Sequence, residues 1–281
     1  MSGPLWIRRA EVQAQTTDGQ AFVWSDLRIT FSVKMKRGGR SEPGQVVIYN
    51  LSPDSRAFLD RDDIKVTLRA GYDADRENSA LPIVIRGDLI RVKHERQRVN
   101  WVTTLQVGDG ERIRRSTRVN LSSEEQTRLE LLQQVLGDTL ALRENTAAQD
   151  PGWQERYVGA LDGSLDLVVT EILPFGWSWM IQDGEAVLVP PSGVLDGSAL
   201  VLTAGSGLIG YPKAKRRESG RSTRLLGVEA QSQLFAPLRP GRVVDLRSQE
   251  FTGVYTVAEV DHKGDTHGGE WVSDLLLQER A

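Results

Sequence analysis

Leu27, Ile29, Phe31, Val33 and Met35 alternate without a break with Arg28, Thr30, Ser32, Lys34 and Lys36. A period of two marks a strand with one dry face and one wet, cationic face. The alternation returns at Ile64, Val66, Leu68 and Ala70, set against Lys65, Thr67 and Arg69. Residues 5–12 and 22–36 read as strands on either side of a Thr16-Thr17-Asp18-Gly19 turn. Strands follow at 46–49, 64–72, 83–94 and 99–107, with Gly87 at a bulge. Ser52-Pro53 opens a short helix that buries Phe58 and Leu59. Loops are expected at 36–43 and 73–80. A strongly two-sided sheet suits a barrel or tube wall better than a catalytic pocket, and closure would cover its edges.

The period changes after Asn120. Ser122-Ser123-Glu124-Glu125 contains a capping box, and Leu129, Leu132, Val135 and Leu136 follow at helical spacing. Residues 143–154 are polar and loop out. Ser164 is placed to cap a helix carrying Leu165, Leu167, Val168 and Ile172. Residues 177–181 and 185–189 flank Asp183-Gly184, the strongest short hairpin signal in the chain. This middle segment reads as a small α+β domain, followed by a Pro190-Pro191-Ser192-Gly193 linker. The basic run 213–224 reads as a long loop, and strands resume at 225–230, 241–247, 253–260 and 271–277. The order β, α+β, β allows the two β parts to be neighbours, or halves of similar barrels, although no residue-level repeat links them by eye.

Composition narrows the function. The chain has 281 residues, 39% hydrophobic and 26% charged, enough to bury a core and remain soluble. A net charge of −3 does not point to a nucleic-acid binder. With no cysteine, disulfides, thiolate metal sites and cysteine nucleophiles are excluded. Residues 1–9 carry no secretory pattern and no segment is long enough to span a bilayer, so the expectation is a soluble intracellular product without membrane insertion.

The motifs that tempt are weak. Gly205-Ser206-Gly207-Leu208-Ile209-Gly210 fits a dinucleotide fingerprint literally, but Tyr211-Pro212 follows where a helix would have to begin. His262, Asp265 and His267 have a spacing that could ligate a divalent metal, yet they lie in a run that a polar hairpin turn also favours. No nucleophile elbow is present. The 213–224 run could meet phosphate or an acidic protein neighbour, but a charge run is usually a solvated face. Trp177 and Trp179 alternate in one strand and are expected to pack together or at a subunit contact. No cofactor and no catalytic residue is assigned.

Several strings resemble a family when taken in order. Val47-Ile48-Tyr49-Asn50-Leu51-Ser52 is followed by Leu68-Arg69-Ala70-Gly71-Tyr72, Arg86-Gly87-Asp88, Trp101-Val102-Thr103-Thr104 and Gly108-Asp109-Gly110. Then come Gly176-Trp177-Ser178-Trp179-Met180-Ile181 and the terminal run from His262 through Gly264-Asp265-Thr266-His267-Gly268-Gly269-Glu270 to Trp271. Together they look like the baseplate hub proteins of tailed bacteriophages, the late control protein D-like tail hubs. The resemblance implies a mainly β chain with an α+β insertion: a first tail-tube-like β-barrel over 1–115, the α+β domain over 116–199 and a second tube-like barrel over 200–281. It implies a structural homotrimer in the virion, assembled in the host cytoplasm, whose six barrels match a sixfold tail tube to a threefold spike or central fibre. Partners would be the tail tube or distal tail protein, the spike and the tape-measure protein, with DNA only in transit. Lys36, Arg37, Arg40, Lys213, Arg216 and Arg217 are the interface candidates. The alternatives are a sixfold tube or distal tail protein, and a metal-dependent hydrolase built on His262, Asp265 and His267.

Overall fold

The computed structural model describes residues 7–38, 42–72, 80–137, 139–143, 149–219 and 222–279. Alternation sets the first half. β1 (Arg8–Gln15), β2 (Ala21–Trp24), β3 (Ile29–Lys36) and β4 (Gly44–Tyr49) lead to helix α1 (Pro53–Leu59). β5 (Lys65–Tyr72), β6 (Ile83–Gln97) and β7 (Asn100–Gly108) complete it. The segment expected as one strand over 22–36 breaks at 25–28 into β2 and β3. On β3, Ile29, Phe31, Val33 and Met35 are buried, as their period of two requires. Ser52 caps α1, accepting from the Ser55 amide at 3.1 Å, and Phe58 and Leu59 enter the core.

The insertion contains α2 (Glu111–Ser116), β8 (Arg118–Ser123), α3 (Arg128–Leu136), β9 (Ala141–Leu142), β10 (Gly159–Ser164), α4 (Leu165–Ile172), β11 (Ser178–Gln182) and β12 (Glu185–Val189). Its own core gathers Leu131, Leu132, Trp153, Leu165, Ile172 and Trp179, with Trp177 edge-on to Trp153 at 5.3 Å. Both tryptophans of the 177–179 pair therefore pack in the same core. The capping box lies at Thr127 and Glu130, not at 122–125, because β8 runs on to Ser123 and delays the helix. Ser164 sits at the N-cap of α4 without a side-chain cap bond. Asp183 and Gly184 take φ of 57° and 82°, the left-handed pair that a two-residue hairpin between β11 and β12 demands.

The second half adds β13 (Asp196–Leu202), β14 (Leu208–Ser219), β15 (Ser222–Gln233), β16 (Arg242–Arg247), β17 (Thr252–Asp265) and β18 (Trp271–Glu279). The basic run expected as a loop is instead the hairpin of β14 and β15. Its cations fit a strand because Pro212 and Ala214 turn inward on either side of the exposed Lys213, and among the described residues β14 is an edge, where lysine and proline are tolerated.

Most of the chain is strand, and the two β parts share one sheet. Its path is β14-β15-β18-β17-β3-β4-β7-β6-β5-β1-β2, with β16 pairing β17 and β13 pairing β16. The ladder does not close, so the fold is mainly β with a small helical insertion, and the two closed barrels expected from sequence are not formed by hydrogen bonding among the described residues. One hydrophobic core runs under both parts, from Val12 and Leu68 to Val257 and Leu277. β17 stitches the halves together: on the side away from β18, residues 252–256 pair β16 and residues 259–265 pair β3. Among the described residues no helix is long and apolar enough to cross a membrane.

Two strand glycines report close approaches. A Cβ on Gly87 would lie 2.2 Å from the Gly108 carbonyl, so Gly87 serves contact between backbones; the extra residue of the β6–β7 bulge is Ile90, between the Leu89 and Arg91 pairs. A Cβ on Gly264 would fall 2.3 Å from Phe31 and 2.9 Å from Trp271, whose rings meet edge-on at 5.6 Å. Gly264→Ala is expected to lose about 1–3 kcal/mol by overpacking, read as a lowered denaturant midpoint, while Gly19→Ala, with nothing within 4 Å, acts only through its backbone.

Candidate assembly surfaces

The wet face of β14, β15, β18, β17 and β3 is laced with charge pairs. Lys36 stands opposite Glu259 and reaches it at 3.9 Å. Lys34 stands opposite Asp261, which accepts from the Ser32 hydroxyl at 3.2 Å. Lys263 donates to Asp274 at 2.8 Å, Lys215 pairs Glu229 at 3.0 Å, and Arg28 forks onto Asp265 at 2.7 and 3.2 Å. The cationic strand read from β3 alone is thus charge-balanced by acids more than 200 residues away in sequence. The face carries a hollow of about 630 Å³ lined by Lys34, Tyr211, Lys213, Glu229 and Asp261 among others.

The interface candidates divide. Lys36 and Arg37 are engaged within the chain: the Arg37 amide donates to the Ala258 carbonyl at 2.8 Å, and its guanidinium to Gln278 at 2.7 Å. Lys213 and Arg216 are exposed on the edge strand β14. Arg40, the middle of the 36–43 loop, residues 73–79 and the Arg217 side chain lie outside the described residues.

The His262, Asp265 and His267 trio does not converge. His262 and Asp265 are three apart on β17, so they face opposite sides of the sheet. His262 is fully buried, its Nδ1 2.8 Å from Ser273 Oγ. Burial drives the His262 pKa down to about 3, and the nearby Arg239 charge adds to this. Asp265 is taken by Arg28 and by the His267 amide at 2.9 Å, and the His267 ring turns to Thr266. Burial works against the Asp265 carboxylate, but Arg28 and the His267 amide outweigh it and hold its pKa below the usual value. Among the described residues no histidine and carboxylate groups gather as metal ligands. The glycine string at 205–210 forms a short 3₁₀ turn capped by Thr203 and leads into β14, not into a helix.

Sequence reasoning missed a polar junction where the three parts of the chain meet. Asp109, just after β7, accepts from the amides of Asp183 (2.8 Å) and Gly184 (3.0 Å) in the insertion. Arg239, from the second half, donates to the Asp183 carboxylate and to the Ile83 carbonyl of the first half. Arg143 adds bonds to Gln182 and Glu185. Burial raises the Asp109 pKa to about 6, against the opposing pull of the two amides. Asp109 lay within the Gly108-Asp109-Gly110 string and Asp183 within the hairpin signal; Arg239 carried no local signal at all.

No protein-family model and no curated sequence matches the chain. Solved structures do. A tail protein from Neisseria meningitidis MC58 superposes with a TM-score of 0.62 at 10% identity, covering 98% of this chain and 97% of that one. The 43 kDa tail protein of prophage MuSo2 from Shewanella oneidensis gives 0.57 at 10% identity, over 95% and 96% of the two chains. An E. coli component of the type VI secretion system, described as structurally similar to the T4 bacteriophage tail proteins gp27 and gp5, gives 0.57 at 10% identity, over 100% of this chain and 75% of that one. At such identities the likeness is one of fold, and it extends over nearly the whole chain. This chain has the fold of these phage tail proteins and of the type VI secretion component that resembles them.

Proposed function

We propose that the chain is a structural subunit of a phage tail baseplate or a related injection machine: a hub protein without catalysis that works as a homotrimeric ring in the virion. The observation that carries this reading is the doubled sheet. The order β14-β15-β18-β17 and the order β3-β4-β7-β6 have the same connectivity, a hairpin forming the first two strands and a second hairpin the last two, and they lie side by side at the β17–β3 seam. Three copies would therefore present six like walls to a sixfold tube while keeping threefold symmetry toward a spike or central fibre. A distal tail or tube protein on one side, the spike on the other, and the tape-measure protein followed by DNA along the axis are the partners this arrangement calls for. Assembly would take place in the host cytoplasm.

The likeness to the Neisseria and Shewanella tail proteins over nearly the whole chain supports the structural reading. The absence of a converged catalytic group among the described residues is compatible with it but does not carry it. Light scattering on the purified chain, with electron microscopy of rings or tails, tests the proposal. The expected result is three copies per ring. Six copies per particle would replace it with a tube or distal tail protein, and a folded sample that stays monomeric at high concentration and never enters tails would end it.

A further inference from the structure

The two four-stranded sheets match strand by strand, and the match extends to detail. In the last hairpin of each sheet a single extra residue bulges out, Ile90 in β6 and Ala258 in β17. Counting from the bulge, Val92 corresponds to Val260 and His94 to His262. Both histidines meet a hydroxyl across the hairpin: His94 Nδ1 to Thr103 at 2.9 Å, His262 Nδ1 to Ser273 at 2.8 Å. The first part of each strand pairs an accessory strand, β5 for β6 and β16 for β17.

The rest of the strand is where they differ. From Glu259 to Asp265, β17 pairs β3. The corresponding stretch of β6, from Arg91 to Gln97, pairs β7 on one side, and among the described residues no strand lies on the other. Val260 and His262 are buried, whereas Val92 and His94 are only partly so. An open cleft of about 390 Å³ runs beside the start of this stretch. At the far end of the sheet, β14, which corresponds to β3, also has no strand on its outer edge among the described residues.

We propose that the outer edge of β6 in one copy pairs antiparallel with the outer edge of β14 in the next, repeating between chains the β17–β3 seam made within each chain. This rests on the ring reading above and adds to it the contact and its register. Each copy offers one edge of each kind, so the contact is head-to-tail and closes only as a ring. The intrachain register sets Lys263 against Ser32 and Asp261 against Lys34. Transferred through the matching strands, it sets Glu95 against Lys213 and Lys93 against Lys215. The first is an opposite-charge cross-strand pair. The second sets two lysines opposite each other, a repulsion that Glu229, 3.0 Å from Lys215, offsets. Asp60, Asp62, Asp63 and Asp88 outnumber Arg61 and Arg91 along the cleft beside β6, a net acidic lining that suits the basic strand β14.

The chain has no cysteine, so a reporter pair can be introduced without background. Residues opposite one another in an antiparallel pair bring Cα atoms to about 4.5–5.5 Å, within disulfide range. A chain carrying Glu95→Cys, at a partly exposed position, and Lys213→Cys, at an exposed one, is oxidised mildly and run without reductant, while microscopy and light scattering report rings independently. The expected result is loss of the monomer band to a covalent species of three chains, reversed by reductant. Glu95→Cys with Lys65→Cys, the latter on β5 away from both edges, should stay monomeric on the gel. Rings that form but leave the Glu95/Lys213 pair unlinked would overturn the edge pairing and leave the hub reading standing; monomers by scattering would overturn both. Lys213→Glu should weaken the ring several-fold, and adding Glu95→Lys should restore it.

Discussion

Replacing Arg239 by alanine is expected to destabilise the protein by about 2–4 kcal/mol, as for a largely buried ion pair broken by removal of one partner. Arg239 is the only side chain described at the three-part junction that bonds both the insertion, through Asp183, and the first half, through the Ile83 carbonyl. Without it, Asp183 and Asp109 are left as neighbouring carboxylates in a partly buried site, with Arg143 only at 4.0 Å from Asp183. Adding Asp183→Asn to Arg239→Ala should recover a large part of the loss, because asparagine accepts the left-handed backbone at this position and carries no charge. Denaturant unfolding of the two variants checks this. Equal instability of both would mean that Arg239 acts through its bond to Ile83 alone.

The second large effect is in the response to acid, where two buried groups oppose each other. The His262 pKa is lowered on folding, so its contribution is fully present above the unfolded value of 6.5 and is lost as pH falls toward about 3. Over that window the loss is at most about 5 kcal/mol, from about 1.4 kcal/mol per pH unit. The Asp109 pKa is raised on folding, so its contribution is fully present below the unfolded 3.8 and is lost as pH rises through about 6, worth about 3 kcal/mol on the same scale. Between about pH 4 and 6 the two slopes have opposite sign and nearly equal size. The contribution of this pair of groups should therefore be nearly flat there. Asp109→Asn removes the falling slope, so stability should then rise more steeply with pH than in the parent protein. His262→Leu removes the rising slope, so the profile should tilt the other way. Unfolding free energies of the three proteins at matched ionic strength decide it. Parallel profiles would mean that neither group titrates as its burial requires.

The strands of the first half were legible because each has one wet face, and a period of two is a local property. The turns were legible for the same reason: Asp183-Gly184 and Ser52-Pro53 act through their own backbone angles. The 213–224 segment was misread because its charges outnumber its apolar residues, and only an edge position with Glu229 beside Lys215 makes a cationic strand sustainable. The metal trio was a coincidence of spacing, since strand geometry sends His262 and Asp265 to opposite faces.

The sequence alone therefore determined the strands whose faces alternate, the turns that act through their own backbone angles, and the resemblance to a tail hub. Pairing across hundreds of residues was decided only in the tertiary structure. The alliance of β17 with β3, the pairing of Lys36 with Glu259 and the Asp109–Asp183–Arg239 junction all depend on groups brought together by packing, which leaves no trace in a local pattern. The repeat of the two sheets is the clearest case. Hydrogen bonds between backbones fix a strand order without fixing side chains, so β6 and β17 share a bulge, a valine and a histidine while little else in their sequences is alike.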